Sequence, residues 1–377
     1  MVNGDNNRNS QKLKGKTIAI GAAAPLSGRA RGLGCEMLQA IQIAVDEWNE
    51  AGGLSGAFVE LHAEDDAGKV EKGEVVARTL CGRANVLGAV GHYNSDVTLA
   101  ASLIYEANRM TMITPIVSNP GLTERGLTNI FRFTNRDDQT GLAIARFLRS
   151  EHSKTSAFIA ATTTTYGRSM AAEYKAAFRS LGGTIVGEIW FEEGTDDFTS
   201  IVNQMPESDH VFYGGTFEGA PLLRSLRQAE NNKLFATGDG CWDMANFLEP
   251  AGSAATVGEG VIVLSATPEL GLVDGSMTFA ERYEARHGRI RNYALNSYAA
   301  TNLLLAAIAR AAGAQVAIPQ RDSIAPTLRK LSARGTAYPN ETRWNDKGDN
   351  TSAITALHTA TSNGFKQVAQ FPRTDAE

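Results

Sequence analysis

The chain of 377 residues has only three cysteines, Cys35, Cys81 and Cys241, and no C-x-x-C pair. They lie far apart, and the six histidines do not cluster with them. We therefore expect no metal site and no redox motif. We predict that each cysteine is a small buried hydrophobe; the alternatives are a disulfide partner or a nucleophile.

The sequence also lacks any run of about 18 apolar residues, the length that a membrane-spanning helix requires. The formal net charge is only −5, so we expect no nucleic acid partner and no attraction to anionic lipid. Residues 1–15 are polar and contain no apolar core of a secretory signal. Two alternatives stay open: a linker left after an export signal is removed, or a protein that stays in the cytoplasm.

The signatures of several enzyme classes are missing as well. After its first apolar run the chain reads Ile20-Gly-Ala-Ala-Ala-Pro25, without the G-x-G-x-x-G of dinucleotide-binding folds. The segment Gly238-Asp-Gly-Cys-Trp-Asp243 has Asp where the third glycine would stand, and there is no P-loop or G-x-S-x-G elbow. His92 stands near Ser95 without a visible third partner for catalysis. We expect no enzymatic activity and no cofactor.

What the sequence does contain is a regular alternation of strand-like and helix-like segments. The run 17–23 predicts a buried strand, and Met37, Ile41, Ala44 and Trp48 repeat at helical spacing after it. A second series of such units begins after residues 130–134. Two series predict an α/β fold of two doubly wound, parallel-sheet lobes.

The chain is expected to cross between the lobes three times, near Phe133, Ser265 and Trp344. Several parallel crossings favour a hinge. The predicted boundaries are 16–134 plus 266–341 for the first lobe, 135–265 plus 342–377 for the second, and 1–15 for a polar tail.

Two turns rich in hydroxyl groups and backbone amides follow short apolar runs in the first lobe. Ser95, in Gly91-His-Tyr-Asn-Ser-Asp96, stands where the next helix should begin, and Ser118 opens the turn Ser118-Asn-Pro-Gly121. The hydroxyls and the unpaired amides of a first helical turn can hold an anion, so this pair predicts a carboxylate clamp. The alternative is a helix cap and an ordinary turn.

A series of short motifs extends this pattern along nearly the whole chain. In order they read PLSG (25–28), NEAGG, EDDA, GHYNS, IYE, MITP, LTERG, TYG, DFTS, YGG and WNDKGD. Their order and spacing, from about Lys16 to Phe371, resemble the type I periplasmic binding proteins for branched-chain and related amino acids. The resemblance implies two lobes joined by a three-segment hinge.

The resemblance also implies a set of ligand contacts. Ser95 and Ser118 would bind the carboxylate of an amino acid with uncharged donors, and Asp239 from the second lobe would bind its ammonium. As an alternative, Asp239 is a turn residue held by its own backbone. Asp65 and Asp66 are expected to make surface or cap contacts. The remaining positions implied to line the site are Leu33, Tyr93, Asn94, Ile116, Tyr166, Thr216, Phe217 and Trp242.

Three of these positions depart from the family pattern and concern the identity of the ligand. Leu33 and Thr216 stand where aromatic residues occur in the best-known amino-acid binders, and Asn94 stands where a cysteine is frequent. The loss of two rings should reshape the pocket, and Phe217, Glu218 and Trp242 are close enough in sequence to refill it. A branched-chain amino acid, a larger amino acid and an aromatic carboxylate all stay open.

The predicted function is therefore capture of an amino acid or related small carboxylate for an ABC importer. The protein would be a periplasmic monomer without metal, and its partner would be the membrane permease. The alternative is a cytoplasmic or receptor-type ligand sensor on the same fold. A DNA-binding regulator would need a helix-turn-helix before Lys16, and fifteen polar residues do not supply one.

Overall fold

The computed structural model describes residues 13–373 except 266, 268, 316, 335 and 336. Most of the predicted polar tail, residues 1–12, lies outside the described residues. The chain forms two compact units: 1–134 with 269–353, called the first unit, and 135–268 with 354–377, called the second unit.

Strands and helices alternate along both units. The strands are β1 Thr17–Ala24, β2 Phe58–Asp65, β3 Val86–Gly91, β4 Thr111–Thr114, β5 Ile130–Arg132, β6 Ser156–Thr162, β7 Thr184–Phe191, β8 His210–Gly214, β9 Leu234–Thr237, β10 Val261–Ser265, β11 Ala333–Arg334, β12 Glu341–Thr342, β13 Ile354–Thr361 and β14 Gly364–Pro372. The helices are α1 Arg31–Glu50, α2 Val70–Gly82, α3 Ser95–Ala107, α4 Asp137–Ser150, α5 Thr165–Ser180, α6 Thr199–Asn203, α7 Gly219–Gln228, α8 Glu249–Ala251, α9 Ser276–His287, α10 Ala294–Gln315 and α11 Ile324–Arg329. No helix among them is long and apolar enough to cross a membrane.

The first unit is built on a parallel sheet with strand order β2-β1-β3-β4-β5. Strands β3 and β4 are buried along their whole length, as expected for strands covered by helices on both faces. Because β3 and β4 are neighbours, the segments that leave their carboxyl ends lie side by side. Such an edge of a parallel sheet is where ligands bind in open α/β folds.

The second unit has a sheet of order β14-β13-β10-β9-β8-β6-β7. Its side chains alternate between two cores: Phe158 and Tyr213 pack on one side, whereas Ile159 and Phe212 pack on the other. Strands β6 to β10 pair in parallel, but β13 and β14 are antiparallel. The two-residue connection at 362–363 is too short for a parallel crossover, so this sheet is mixed where the sequence predicted a parallel one.

The segments near the crossings differ in detail from the prediction. The chain changes unit after residues 134, 268 and 353. Residues 342–353, predicted for the second lobe, group with the first unit because they lie along β5: Arg132 N donates to Gly348 O at 2.9 Å, and Asn350 N donates to Arg132 O at 3.0 Å. The Arg132 guanidinium also pairs with Asp349 at 2.8 Å, with both side chains fully buried.

The three cysteines are free thiols, which removes the disulfide alternative. Cys81 and Cys241 are buried, as predicted, whereas Cys35 is half-buried. Burial raises the pKa of the Cys81 thiol to about 11. A buried protonated thiol is a poor nucleophile.

Candidate ligand site

Ser95 and Ser118 follow the carboxyl ends of the neighbouring strands β3 and β4. Ser95 is the first residue of α3, and Ser118 lies four residues beyond the end of β4. Each side chain is only 5% exposed. We call these two serines the first half-site.

The polar groups of the first half-site have unused capacity for hydrogen bonds. Within the part of the chain that the structure describes, neither serine hydroxyl bonds to protein, and the amides of Ser95 and Asp96 have no backbone acceptor. The N-cap of α3 is Asn94, which is extended and makes no side-chain cap bond. The buried Oδ1 of Asn94 has no hydrogen-bond partner among the residues that the structure describes. The helix start thus offers several donors to an anion, and Asp96 is the acidic residue in its first turn.

A threonine that the sequence analysis missed connects the two segments of this half-site. The Thr114 hydroxyl accepts from Val117 N at 3.1 Å and lies 3.4 Å from the carbonyl oxygen of His92. It therefore links the turn before Ser118 to the turn before Ser95. Thr114 stands at the end of a strand, directly before Pro115, and this position in the sequence could have indicated its role in the turn.

Three other predicted positions of the first unit, Leu33, Tyr93 and Ile116, are also buried. Leu33 lies in the first turn of α1 and is 3% exposed, and Ile116 precedes Ser118 by two residues. Tyr93 packs edge to face against Tyr293, with ring centroids 6.0 Å apart.

The prediction for Asp66 is wrong, and the one for Asp65 is confirmed. Asp65 accepts from the backbone amides of Leu26, Ser27 and Ala67, so it fixes the PLSG turn. Burial alone would raise the pKa of Asp65, but the hydrogen bonds from Ser27, Ala67 and Leu26 outweigh it and lower that pKa. Asp66, in contrast, is fully buried.

The partner of Asp66 is His92, for which the sequence indicated no third partner beside Ser95. His92 Nδ1 lies 2.7 Å from Asp66 Oδ2, and Nε2 lies 3.2 Å from the Tyr105 hydroxyl. Both ring nitrogens thus face groups other than Ser95. His92 is not placed to activate the Ser95 hydroxyl as a nucleophile.

In the second unit, Asp239 and Tyr166 form a bonded pair, which we call the second half-site. Asp239 begins the turn after β9 and is 6% exposed. The Tyr166 hydroxyl, from the first turn of α5, donates to Asp239 Oδ1 at 2.8 Å and accepts from Gly240 N at 3.1 Å. Burial and the nearby Asp239 carboxylate raise the pKa of Tyr166 well above its usual range. The phenol therefore stays protonated and holds the carboxylate in place.

The glycines on either side of Asp239 are required by this close approach. A Cβ at Gly238 would lie 2.5 Å from the Tyr166 hydroxyl, and one at Gly240 would lie 2.5 Å from Gly215 O. Larger residues at either position would push the turn away from α5 and from the end of β8. The pattern Gly-Asp-Gly is thus explained by the placement of the carboxylate.

The remaining predicted positions of the second unit differ in their roles. Thr216 and Phe217 are half-buried directly after β8, and Thr216 O accepts from the Cys241 thiol at 3.5 Å. Trp242 packs its ring on His358 and Phe365, at centroid distances of 4.1 Å and 4.5 Å. The structure therefore gives Trp242 a packing role against the β13–β14 hairpin.

Glu218, the other residue expected near the pocket, is fully buried in the second unit. It accepts from Gly194 N at 2.8 Å and from the Tyr213 hydroxyl at 3.3 Å. These bonds anchor the loop after β7 to the end of β8.

Comparisons with known proteins agree with this architecture. The family model described as periplasmic binding protein matches residues 17–364. The Leu/Ile/Val-binding protein BraC3 of Rhizobium johnstonii is 30% identical over 344 residues, which cover 90% of this chain and 91% of the relative. An amino acid binding protein of Pseudomonas aeruginosa is 30% identical over 297 residues, 77% of this chain and 78% of that one.

Solved structures share the fold at lower identity. The branched-chain amino acid transporter substrate binding protein LivJ of Streptococcus pneumoniae, in complex with isoleucine, has a TM-score of 0.83 and 23% identity, and the match covers 94% of this chain and 99% of that one. A solute binding protein of an ABC transporter from R. palustris, in complex with benzoate, has a TM-score of 0.83 and 18% identity, covering 96% and 98%. The chain therefore belongs to the periplasmic binding protein family, in the type I group of branched-chain amino acid-binding proteins.

Proposed function

We propose that this protein is the solute-binding protein of an ABC importer and captures an amino acid or a related small carboxylate. In this proposal one ligand engages both half-sites: its carboxylate binds Ser95 and Ser118, and its ammonium binds Asp239. The protein would work as a monomer in the periplasm and deliver its ligand to a membrane permease. Relatives whose names state amino acid binding support the ligand class.

The observation that carries the proposal is the opposite chemistry of the two half-sites. The first offers nearly buried hydroxyls, and amides at a helix start, that have no protein partner within the described part of the chain. These groups suit a carboxylate, which prefers backbone donors and the positive end of a helix. The second offers a nearly buried carboxylate fixed by a phenol, which suits an ammonium. A zwitterion satisfies both at once.

Binding to both half-sites would also explain how capture is signalled. A ligand that contacts residues of both units would favour the conformation in which both contacts are made. The shift depends on how much more tightly the ligand binds that conformation than the alternative. A permease can then distinguish loaded from empty protein. The proposal thus links the chemistry of the ligand to its delivery.

A second ligand class is favoured by the departures at Leu33 and Thr216. Two aromatic rings are absent there, and a fold neighbour is solved in complex with benzoate. An aromatic carboxylate would use the first half-site in the same way but would bring no ammonium to the Asp239 carboxylate. An amino acid would bring one and so engage both half-sites, and we therefore favour the amino acid.

A thermal-shift screen followed by titration calorimetry tests the proposal. The panel contains leucine, isoleucine, valine, the larger amino acids and benzoate, with leucinamide as a control that lacks the carboxylate. We expect an amino acid to raise the melting temperature, because a ligand at 100 times its Kd adds about 2.7 kcal/mol to the stability. A micromolar Kd corresponds to about −8 kcal/mol. The proposal fails if no member of the panel at millimolar concentration shifts the melting temperature.

A further inference from the structure

A buried polar network connects the end of β2 to both segments of the first half-site. Asp66 reaches across the end of β1 to His92. Its Oδ1 accepts from Gly68 N at 2.9 Å, and its Oδ2 lies 2.7 Å from His92 Nδ1. Asp66, His92 and Tyr105 are all completely buried.

The histidine at the centre of this network touches three different parts of the first unit. Its ring joins Asp66, after β2, to the hydroxyl of Tyr105 on α3, the helix that Ser95 begins. Its carbonyl oxygen accepts from the Thr114 hydroxyl, which in turn accepts from Val117 N. Val117 directly precedes Ser118, and His92 lies three residues before Ser95.

We propose that Asp66 and His92 are positioning residues that hold the Ser95 and Ser118 segments in the geometry that binds the ligand carboxylate. The inference rests on the proposed function. Neither residue touches the ligand; each acts through the serines. Sites that recognise small polar groups need such support, because side chains must be held to about 0.5 Å.

The chemistry of the network favours this role over simple core filling. Apolar residues of similar volume can replace buried polar groups at little cost in stability, and such groups are frequently kept where they specify one geometry. With Nδ1–H donating to Asp66, Nε2 accepts from Tyr105, so one ring fixes the relation of three elements. Burial raises the pKa of Tyr105 well above its usual range, which keeps its hydroxyl protonated as the donor.

The second unit offers a matched control. His210 is also fully buried, and its Nε2 lies 2.5 Å from the Tyr174 hydroxyl on α5. This pair connects a strand to a helix in the same manner but belongs to the other unit. A purely structural histidine should therefore behave like His210.

The test measures the affinity of Asp66→Asn, His92→Gln and the control His210→Gln for L-leucine by calorimetry, together with the melting temperature. If wild type binds benzoate and not leucine, benzoate is the probe. We expect Asp66→Asn and His92→Gln to weaken binding about tenfold, the lower end of the effect of removing groups that orient metal ligands. His210→Gln should lower the melting temperature, and any change that it makes in Kd should be equal in the wild-type and Ser95→Ala backgrounds, because His210 belongs to the other unit.

The decisive readout is the coupling of Asp66 to Ser95. In a Ser95→Ala background, Asp66→Asn should raise Kd less than threefold, because Asp66 acts through the Ser95 hydroxyl and that variant lacks it. The positioning role would be overturned if Asp66→Asn weakened binding equally in wild type and in Ser95→Ala. It would also be overturned if Asp66→Asn alone left Kd unchanged. If Asp66→Asn does not fold, Tyr105→Phe replaces it in the same cycle, with the same two outcomes. If the wild-type chain binds neither leucine nor benzoate, this inference and the proposed function are both overturned. If wild type binds a probe tightly and the Asp66 and His92 variants bind it equally well, only this inference is overturned.

Discussion

At the scale of single residues, the proposed site combines one charged side chain, Asp239, with two neutral ones, Ser95 and Ser118. Asp239 is a nearly buried carboxylate, held by the hydroxyl of Tyr166 at 2.8 Å. Ser95 and Ser118 are neutral, so in the proposed complex these two residues would bind the ligand carboxylate without a counter-charge of their own. The selectivity for a zwitterion would then arise from the pairing of Asp239 with the ammonium.

Replacing Asp239 by alanine tests that pairing. We expect Asp239→Ala to weaken amino acid binding by 2 kcal/mol or more, about 30-fold in Kd, because removal of one partner leaves a desolvated ammonium without its counter-charge. Calorimetry with the ligand and with its analogue that lacks the amino group provides the control. The analogue should bind the variant no worse than wild type; an equal loss for both compounds would mean that Asp239 does not bind the ammonium.

Part of the site could be predicted from local sequence, and part could not. Ser95 was found because a hydroxyl residue between a buried strand and an amphipathic helix marks a helix start, and α3 does begin there. Asp66 was misjudged because its partner His92 is 26 residues away, and nothing local shows that the two meet. Trp242 was predicted near the pocket because it follows Asp239 by three residues, but its ring contacts with His358 and Phe365, over 100 residues later, could not be predicted locally.

At the scale of elements, the positions of helices follow from close backbone contacts. Helices α4 and α5 approach each other at Gly141, where an added Cβ would lie 2.8 Å from Tyr174 N and 2.9 Å from Glu173 C. Helix α5 also carries Tyr166 in its first turn. The separation of these helices therefore affects the second half-site.

Alanine at Gly141 is expected to destabilise the protein by about 1–3 kcal/mol, because a methyl group against backbone atoms must push the helices apart. Gly82 is the matched control, since it ends α2 and a Cβ there would meet nothing within 4 Å. Gly82→Ala should be neutral or stabilising by up to about 1 kcal/mol. Chemical denaturation measures both, and similar effects of the two changes would contradict the contact at Gly141.

Elements were more predictable than their pairing. The alternation of strand-like and helix-like apolar patterns predicted β1 to β4 and α1 to α3. The antiparallel pairing of β13 and β14 and the membership of residues 342–353 in the first unit depend on contacts with distant strands. Such contacts leave no period in the local sequence.

At the scale of the whole molecule, each unit has its own sheet and core, so unfolding need not occur in one step. The second unit carries two buried histidines with shifted pKa values. Burial lowers the pKa of His210 to about 3 and that of His358 to about 4. Both side chains are at most 2% exposed.

These shifts predict that the second unit loses stability in mild acid. Between pH 6.5 and pH 5 the unfolded chain binds protons at both positions and the folded unit does not, so stability falls as pH falls. At 1.36 kcal/mol per pKa unit, each histidine costs about 2 kcal/mol by pH 5. Denaturation curves at pH 7.5 and 5 should show the loss, and His210→Gln with His358→Gln should reduce it. A pH-independent stability across this range would contradict neutral burial of these rings.

The central claim is that one small molecule is held through its carboxylate by Ser95 and Ser118 and through its ammonium by Asp239. A crystal structure of the protein with the amino acid that gives the largest thermal shift tests it most directly. We expect the carboxylate oxygens within hydrogen-bond distance of both serines and the ammonium within hydrogen-bond distance of Asp239. A ligand bound elsewhere, or in the reverse orientation with its ammonium at the serines, would contradict it.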